Sequence, residues 1–229
     1  MSNSSEHPSE IVLYNYFRSS TSYRVRCALN VKKLHYTYKP VHLLNNGGEQ
    51  NQKAYRDINP MGGVPTLIHN GSTIAQSYAI VQYLEDAFPD TPNLFPKKPF
   101  DKALVNQFCQ IINADLHSYA NLKTLQYLEK KFGVAEAART EWIYYWFENG
   151  FQALEIFLQK YGGQYSYGDE VTAADCFLVP LVFTAQRFKM ETSKFKKLTE
   201  VTNHLNMRLD IMTAHPFRQP DTPDEFRLK

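Results

Sequence analysis

Hydrophobic residues along the chain follow two rhythms, and the change falls near Phe88. Ile11 to Phe17 (IVLYNYF) is β-branched and aromatic, the composition of a strand. Val25, Ala28 and Leu29 then recur at i, i+3 and i+4, a helical stripe. YTYKPVHL (Tyr36 to Leu43) returns to strand composition, and Glu49 to Arg56 suits a short helix. In VPTLIHNGSTIA the pair Asn70-Gly71 is a two-residue hairpin signal between Thr66–His69 and Ser72–Ile74. Helical spacing resumes with Ile80, Val81 and Leu84. The predicted order is β-α-β-α-β-β-α, with a parallel first half and a terminal hairpin.

FPDTPNLFPKKP (Phe88 to Pro99) holds four prolines and reads as a linker. Beyond it no strong strand pattern occurs. Phe100 to Phe132 lacks both Pro and Gly, which predicts one long helix or two abutting ones. Glu141 to Lys160 predicts another, Thr172-Ala-Ala-Asp175 is a capping box opening a third, and helical spacing returns from Lys196 to Met212. The expected division is a disordered lead over 1–9, an α/β domain over 10–88, a linker over 89–98 and an all-helical domain over 99–229.

Composition narrows the classes. A chain of 229 residues with 43% hydrophobic content can bury an ordinary core. A net charge of +2, without basic or acidic blocks, gives no footprint for nucleic acid. The start, MSNSSEHPSE, has no apolar core of a secretory signal, and no apolar stretch approaches a membrane span. Cys27, Cys109 and Cys176 each sit in an apolar helical pattern, so buried, reduced thiols are expected rather than disulfides. No CxxC or Cys/His cluster suggests a metal. The expectation is a soluble cytoplasmic protein with neither nucleic acid nor membrane as partner.

The chemistry concentrates in RSSTSYRVR (Arg18 to Arg26). The order β-α-β then ββα, with Val64-Pro65 opening the third strand, is the pattern of a thioredoxin-like domain. Pro65 is either an ordinary strand-start proline or a cis peptide that turns the Val64 backbone outward as a docking edge. A redox version needs cysteine after the first strand, where this chain has Ser19-Ser20-Thr21-Ser22. Any thiol chemistry must therefore use a ligand's thiol. The free N–H groups and dipole of a helix start favour an anion, and a hydroxyl donating to sulfur favours the thiolate. Hydroxyls before a helix more often serve as caps alone. Gln76-Ser77 opens another helix and can hold a carboxylate and an amine by the same physics.

The stretches YFRSSTSYRVRCALN, GGEQ (47–50), NPMGGVPTL (59–67) and QSYAIVQYLE (76–85) match a known pattern. So do NADLH (113–117), GDEVTAADCFLVP (168–180), RFKM (187–190) and HPFRQPDTP (215–223). On these motifs the chain resembles the zeta-class glutathione transferases, the family of the maleylacetoacetate isomerases. The resemblance implies a glutathione transferase fold: a thioredoxin-like N-terminal domain that binds glutathione and an all-α C-terminal domain that binds substrate.

It also implies roles by position. Ser19 would stabilise the glutathione thiolate, with Ser20 and Thr21 beside it. Val64-Pro65 would present the backbone to the cysteinyl part, Gln76 and Ser77 would bind the γ-glutamyl end, and Gln50 would reach the glycyl end. His117 and Asn121 would approach glutathione and substrate, and Arg18 and Arg187 would meet a dicarboxylate. The implied reaction is cis–trans isomerisation of maleylacetoacetate in tyrosine and phenylalanine catabolism, by a homodimer.

Residue chemistry alone leaves duller readings open. His117 and Asn121 at i, i+4 also describe a solvated helix face, and Arg187 beside Phe188 an ordinary surface charge. Arg24 and Arg26 suit structural bonds, to local carbonyls or to a partner subunit. Trp142, Tyr144, Tyr145, Trp146 and Phe147 suit core or interface packing. The chain departs from the family pattern at Thr21, where many members carry cysteine, and at Ser118, Ala120 and Leu181. Ser118, Ala120 and Leu181 keep alive conjugation or dehalogenation of other small electrophiles, and a non-catalytic scaffold with this fold is a separate alternative.

Overall fold

The computed structural model describes residues 10–228, so the lead over 1–9 lies outside the described residues. Contacts divide the chain into two compact units. One joins the described residues up to Pro92 with those from Asp210 onward; the other is Asn93–Leu209.

The first unit is built on a four-stranded sheet in the order β2-β1-β3-β4. Strand β1 (Ile11–Asn15) alternates buried and half-buried positions, as a central strand should. It pairs in parallel with β2 (Thr37–Pro40), Val12 facing Thr37, and antiparallel with β3 (Thr66–His69), Leu13 facing Leu67. A parallel pair needs a crossover, supplied by α1 (Ser20–Val31), of which Ser22 to Leu29 and Val31 are all buried. The expected hairpin joins β3 to β4 (Ser72–Ala75), with Asn70 at φ 49° and Gly71 at φ 77°, the left-handed pair that matches strand twist. Helix α3 (Ser77–Ala87) follows and packs on α1. The short helix expected over 49–56 is split: a 3-10 turn at Glu49–Asn51 and α2 (Lys53–Arg56), parted at Gln52, whose ψ of 148° is extended.

The second unit is all helical. Pro99, without an N–H, opens α4 (Pro99–Gln110) at a position where none is needed. The single long helix allowed by the sequence is interrupted twice. A π-helical segment, Ile111–Leu116, leads into one turn, α5 (His117–Ala120). Asn121 then leaves the helical region at ψ 140° and caps α6 (Leu122–Phe132) by accepting from the Lys123 N–H at 2.9 Å. Helix α7 (Glu136–Tyr161) carries Gly150, where an added Cβ would meet the Leu116 side chain at 2.2 Å. The bare glycine face thus seats the leucine of the π segment.

Helix α8 (Ala173–Arg187) is buried through Ala185. The expected capping box holds its start: the Asp175 carboxylate accepts the Thr172 N–H at 2.7 Å and the Ser166 N–H at 2.8 Å. Buried Glu155 of α7 accepts the Lys197 and Leu198 N–H groups, each at 2.9 Å, at the start of α9 (Lys196–Asn206). The helix predicted through Met212 breaks after Asn206 and resumes as α10 (Leu209–Thr213).

The tail from Asp210 packs with the α/β unit, whereas the sequence division had placed it in the helical domain. Its partners are remote in sequence: Asn30 Nδ2 donates to Asp210 O at 2.9 Å and Arg26 Nε to Ala214 O at 3.0 Å. Helical spacing records which face is apolar, not which core that face meets. Cys27, Cys109 and Cys176 are buried free thiols. Among the described residues no helix is long and apolar enough to cross a membrane.

Candidate functional site

Ser19 sits at the N-cap of α1, φ −69° and ψ 120°, and its Oγ accepts the Ser22 N–H at 3.2 Å. Its Oγ also lies 2.9 Å from Thr21 Oγ1, which donates to the Val64 carbonyl at 2.8 Å. A carbonyl can only accept, so the single Thr21 proton is committed to Val64 and the Ser19 hydroxyl must donate to Thr21. The result is a directed relay, Ser19 to Thr21 to Val64. No acidic side chain occupies the first turn of α1, so the partial positive charge of the helix start is not neutralised from within the helix.

The far end of that relay is a cis Val64–Pro65 bond, the second of the two readings of this proline. Its approach is braced by residues to which the sequence reading assigned no role. Tyr55 Oη donates to Gly63 O at 2.6 Å and Asn59 Nδ2 to the same oxygen at 2.9 Å. Burial, more than any other influence, pushes the Tyr55 phenol above its ordinary range, so it remains a donor. Asn59 had been visible only as part of NPMGGVPTL.

Two further expected groups belong to the same unit. Gln76 is the N-cap of α3 at φ 73°, a left-handed conformation uncommon for a residue with a side chain, and makes no side-chain cap bond. Ser77, the first residue of α3, is buried and accepts from Arg24 Nη1 at 3.2 Å. Buried Gln50 donates through Nε2 to Leu43 O at 3.2 Å, which fixes the amide orientation. Its Oε1 is then a buried acceptor with no partner. Gly48, at φ +92°, lets this amide lie close: an added Cβ would meet it at 2.4 Å. An orphaned acceptor calls for a donor from outside the chain, such as a ligand amide.

Arg18 is half-buried, its guanidinium 6.0 Å from the Phe17 ring centroid. Ser20 begins α1. Cys27, about two turns further on, offers no alternative nucleophile, because burial pushes its thiol far above the ordinary range.

The remaining expected residues belong to the helical unit. His117 Nε2 and Asn121 Nδ2 are 3.2 Å apart, so the pair meets even though Asn121 has left the helix to act as a cap. Arg187 is exposed at the end of α8, 5.8 Å from the Phe188 ring centroid. In the aromatic group Phe147 is buried, Tyr145 is exposed and Trp146 stacks on Tyr119 at 3.9 Å. Arg26 takes the structural role foreseen for it: it is fully buried and donates to Ala214 O, Asn15 Oδ1, Tyr16 O and Phe17 O. Among the described residues no group of three or more His, Cys, Asp or Glu is placed to hold a metal.

Comparison with known proteins agrees with this geometry. The family model described as glutathione S-transferase, N-terminal domain, matches residues 13–92. Maleylacetoacetate isomerase of Dictyostelium discoideum is 40% identical over 210 residues, 92% of this chain and 95% of that protein. A holo structure of a bacterial maleyl pyruvate isomerase, a zeta-class glutathione S-transferase, superposes with a TM-score of 0.89 at 37% identity, covering 93% of this chain and all (100%) of that one. Maleylacetoacetate isomerase of Anaeromyxobacter dehalogenans 2CP-1, solved with dicarboxyethyl glutathione and citrate in its active site, gives 0.83 at 31% identity, covering 97% and 99%. With a relay of hydroxyls at the helix start, a cis-proline edge and near full-length relatives of one kind, the chain belongs to the zeta class of glutathione transferases, the family of the maleylacetoacetate isomerases.

Proposed function

We propose that the chain is a glutathione-dependent isomerase that converts maleylacetoacetate to fumarylacetoacetate, a cytoplasmic step of tyrosine and phenylalanine breakdown, and that it works as a homodimer. The observation that carries this reading is the Ser19–Thr21–Val64 relay at the start of α1. The ligand reported in the Anaeromyxobacter relative, a glutathione carrying a dicarboxyethyl group, has the chemistry of a thiol added across the double bond of a dicarboxylate, and supports the same reading.

Glutathione, when bound, supplies a thiolate that adds reversibly to the conjugated cis double bond, so that the bond rotates and the trans isomer is released with glutathione intact. The chain does the rest. Ser19 turns its proton from Thr21 to the sulfur, and the open first turn of α1 adds partial positive charge. Thr21 keeps its own proton on Val64 O and so leaves Ser19 as the donor. The Val64 backbone meets the cysteinyl part, Gln50 Oε1 accepts an amide N–H toward the glycyl end, and Gln76 with Ser77 takes the γ-glutamyl end. Ser20 lends the N–H at the helix start. Arg18 and Arg187 are the cations for the substrate carboxylates and for the charge that develops on its conjugated oxygens. His117 and Asn121 hold a polar pair ready in the helical unit.

Isomerisation of maleylacetone with and without glutathione tests the reading. Turnover that requires glutathione and leaves its concentration unchanged is expected. Consumption of glutathione, or preference for chlorinated acids, would move the assignment to conjugation or dehalogenation. A chain that neither binds a glutathione column nor turns over maleylacetone would be a scaffold.

A further inference from the structure

HPFRQPDTP (215–223) carried part of the family resemblance, yet nothing in the reaction so far uses it. In the structure this segment runs back to the turn between β1 and α1. Asp221 Oδ2 accepts the Phe17 N–H at 3.0 Å, and Oδ1 accepts the Tyr38 hydroxyl. Arg26 closes the other side, donating to Tyr16 O at 3.3 Å, Phe17 O at 2.9 Å and Ala214 O at 3.0 Å. The Tyr16 carbonyl also accepts the Ser19 N–H at 3.0 Å. Phe17 thus has its N–H on a carboxylate and its C=O on a guanidinium, two residues before Ser19.

We infer that Asp221 is a positioning residue: through Phe17 it holds the backbone that aims the Ser19 hydroxyl, although it is 204 residues away from Phe17 in sequence. Hydrogen bonds to ionised groups are shorter and stronger than neutral ones, and here one such bond acts from each side of a single residue. Because both carboxylate oxygens are occupied, Asp221 cannot swing away without breaking a bond. Small displacements of a reacting group lower rates steeply. The inference rests on the role given to Ser19 above.

The test uses the full chain with Asp221→Asn, Tyr38→Phe and Asp221→Asn in a Ser19→Ala background. Two readouts are taken: amide hydrogen exchange at 16–22, and ultraviolet titration of the thiol of added glutathione. Asp221→Asn is expected to speed exchange at 16–22 about tenfold without changing the rest of the sheet, and to raise the thiol midpoint by about one pH unit. In the Ser19→Ala background it is expected to add almost nothing to the titration, since both changes act on one hydroxyl. Tyr38→Phe, which leaves the Phe17 bond in place, is expected to shift both readouts less and in the same direction. Unchanged exchange in Asp221→Asn, or a full additional shift without Ser19, overturns the inference. If Asp221→Asn does not fold, Tyr38→Phe decides on the same criterion. If the parent chain does not lower the thiol midpoint at all, the glutathione reading fails, and exchange at 16–22 alone judges the positioning role.

Discussion

Ser19 has one proton, and the Thr21 oxygen and a ligand sulfur can compete for it. In the structure the proton goes to Thr21, whose own proton is committed to Val64 O. Ser19 also caps α1, so Ser19→Ala would mix two losses, and removing a cap costs roughly 1 kcal/mol. Ser19→Gly separates them, because glycine at an N-cap costs only about a few tenths of a kcal/mol. Thermal unfolding of Ser19→Gly is expected to stay near the parent, while its kcat for maleylacetone falls at least about tenfold, equivalent to ~1.4 kcal/mol. Thr21→Val is expected to leave the thiol titration within about half a pH unit, since it removes a competitor for the Ser19 proton rather than the donor. The hydroxyl run was legible because polar residues interrupt an apolar pattern. The direction of the relay was not, because it is set by a carbonyl 43 residues downstream.

Elements show the same division between local and remote causes. The hairpin at Asn70-Gly71, the capping box of α8 and the crossover α1 follow from residues next to one another, and the sequence shows them. The leucine that ends the π segment before His117 packs on Gly150 of another helix, and periodicity carries no trace of that contact. Asn121, which the family resemblance assigns to glutathione, caps α6 in the structure, so Asn121→Ala is expected to lower stability by about 1 kcal/mol in denaturant even without ligand. The turn that opens the tail motif offers a pH test. His215 Nδ1 accepts the Phe217 N–H at 3.1 Å, which requires a neutral ring. Burial first, then the Arg218 and Arg26 charges, push its pKa down from 6.5 to about 4. The unfolded chain therefore takes up a proton that the folded chain refuses. Its contribution is complete above about pH 6.5 and is lost as the pH falls toward about 4. Denaturation midpoints measured across that window should decline less steeply in His215→Asn, where an amide oxygen accepts the same N–H without titrating. An equal decline would remove His215 from the account.

At the scale of the whole molecule, the chain leaves its α/β unit at Pro92 and returns to it at Asp210. The fold class and the two-part organisation were readable from the change of hydrophobic period. The return of the tail was not, because its anchors include individual polar contacts between segments remote in sequence, such as Arg26 to Ala214 O, Asn30 to Asp210 O and Phe17 N–H to Asp221. A chain ending at residue 209 would leave the buried Arg26 without one of its acceptors and Phe17 N–H without its carboxylate. It is expected to unfold at a clearly lower temperature than the full chain. On the proposed function, the start of α1, with Ser19 as donor, turns a ligand thiol into a thiolate. Ultraviolet titration of glutathione bound to the full chain measures this directly. A free thiol of this kind titrates at about 8.5, and the bound one is expected roughly one to two pH units lower, with most of the shift lost in Ser19→Gly. A bound thiol that titrates where the free one does, or a shift undiminished in Ser19→Gly, would contradict it.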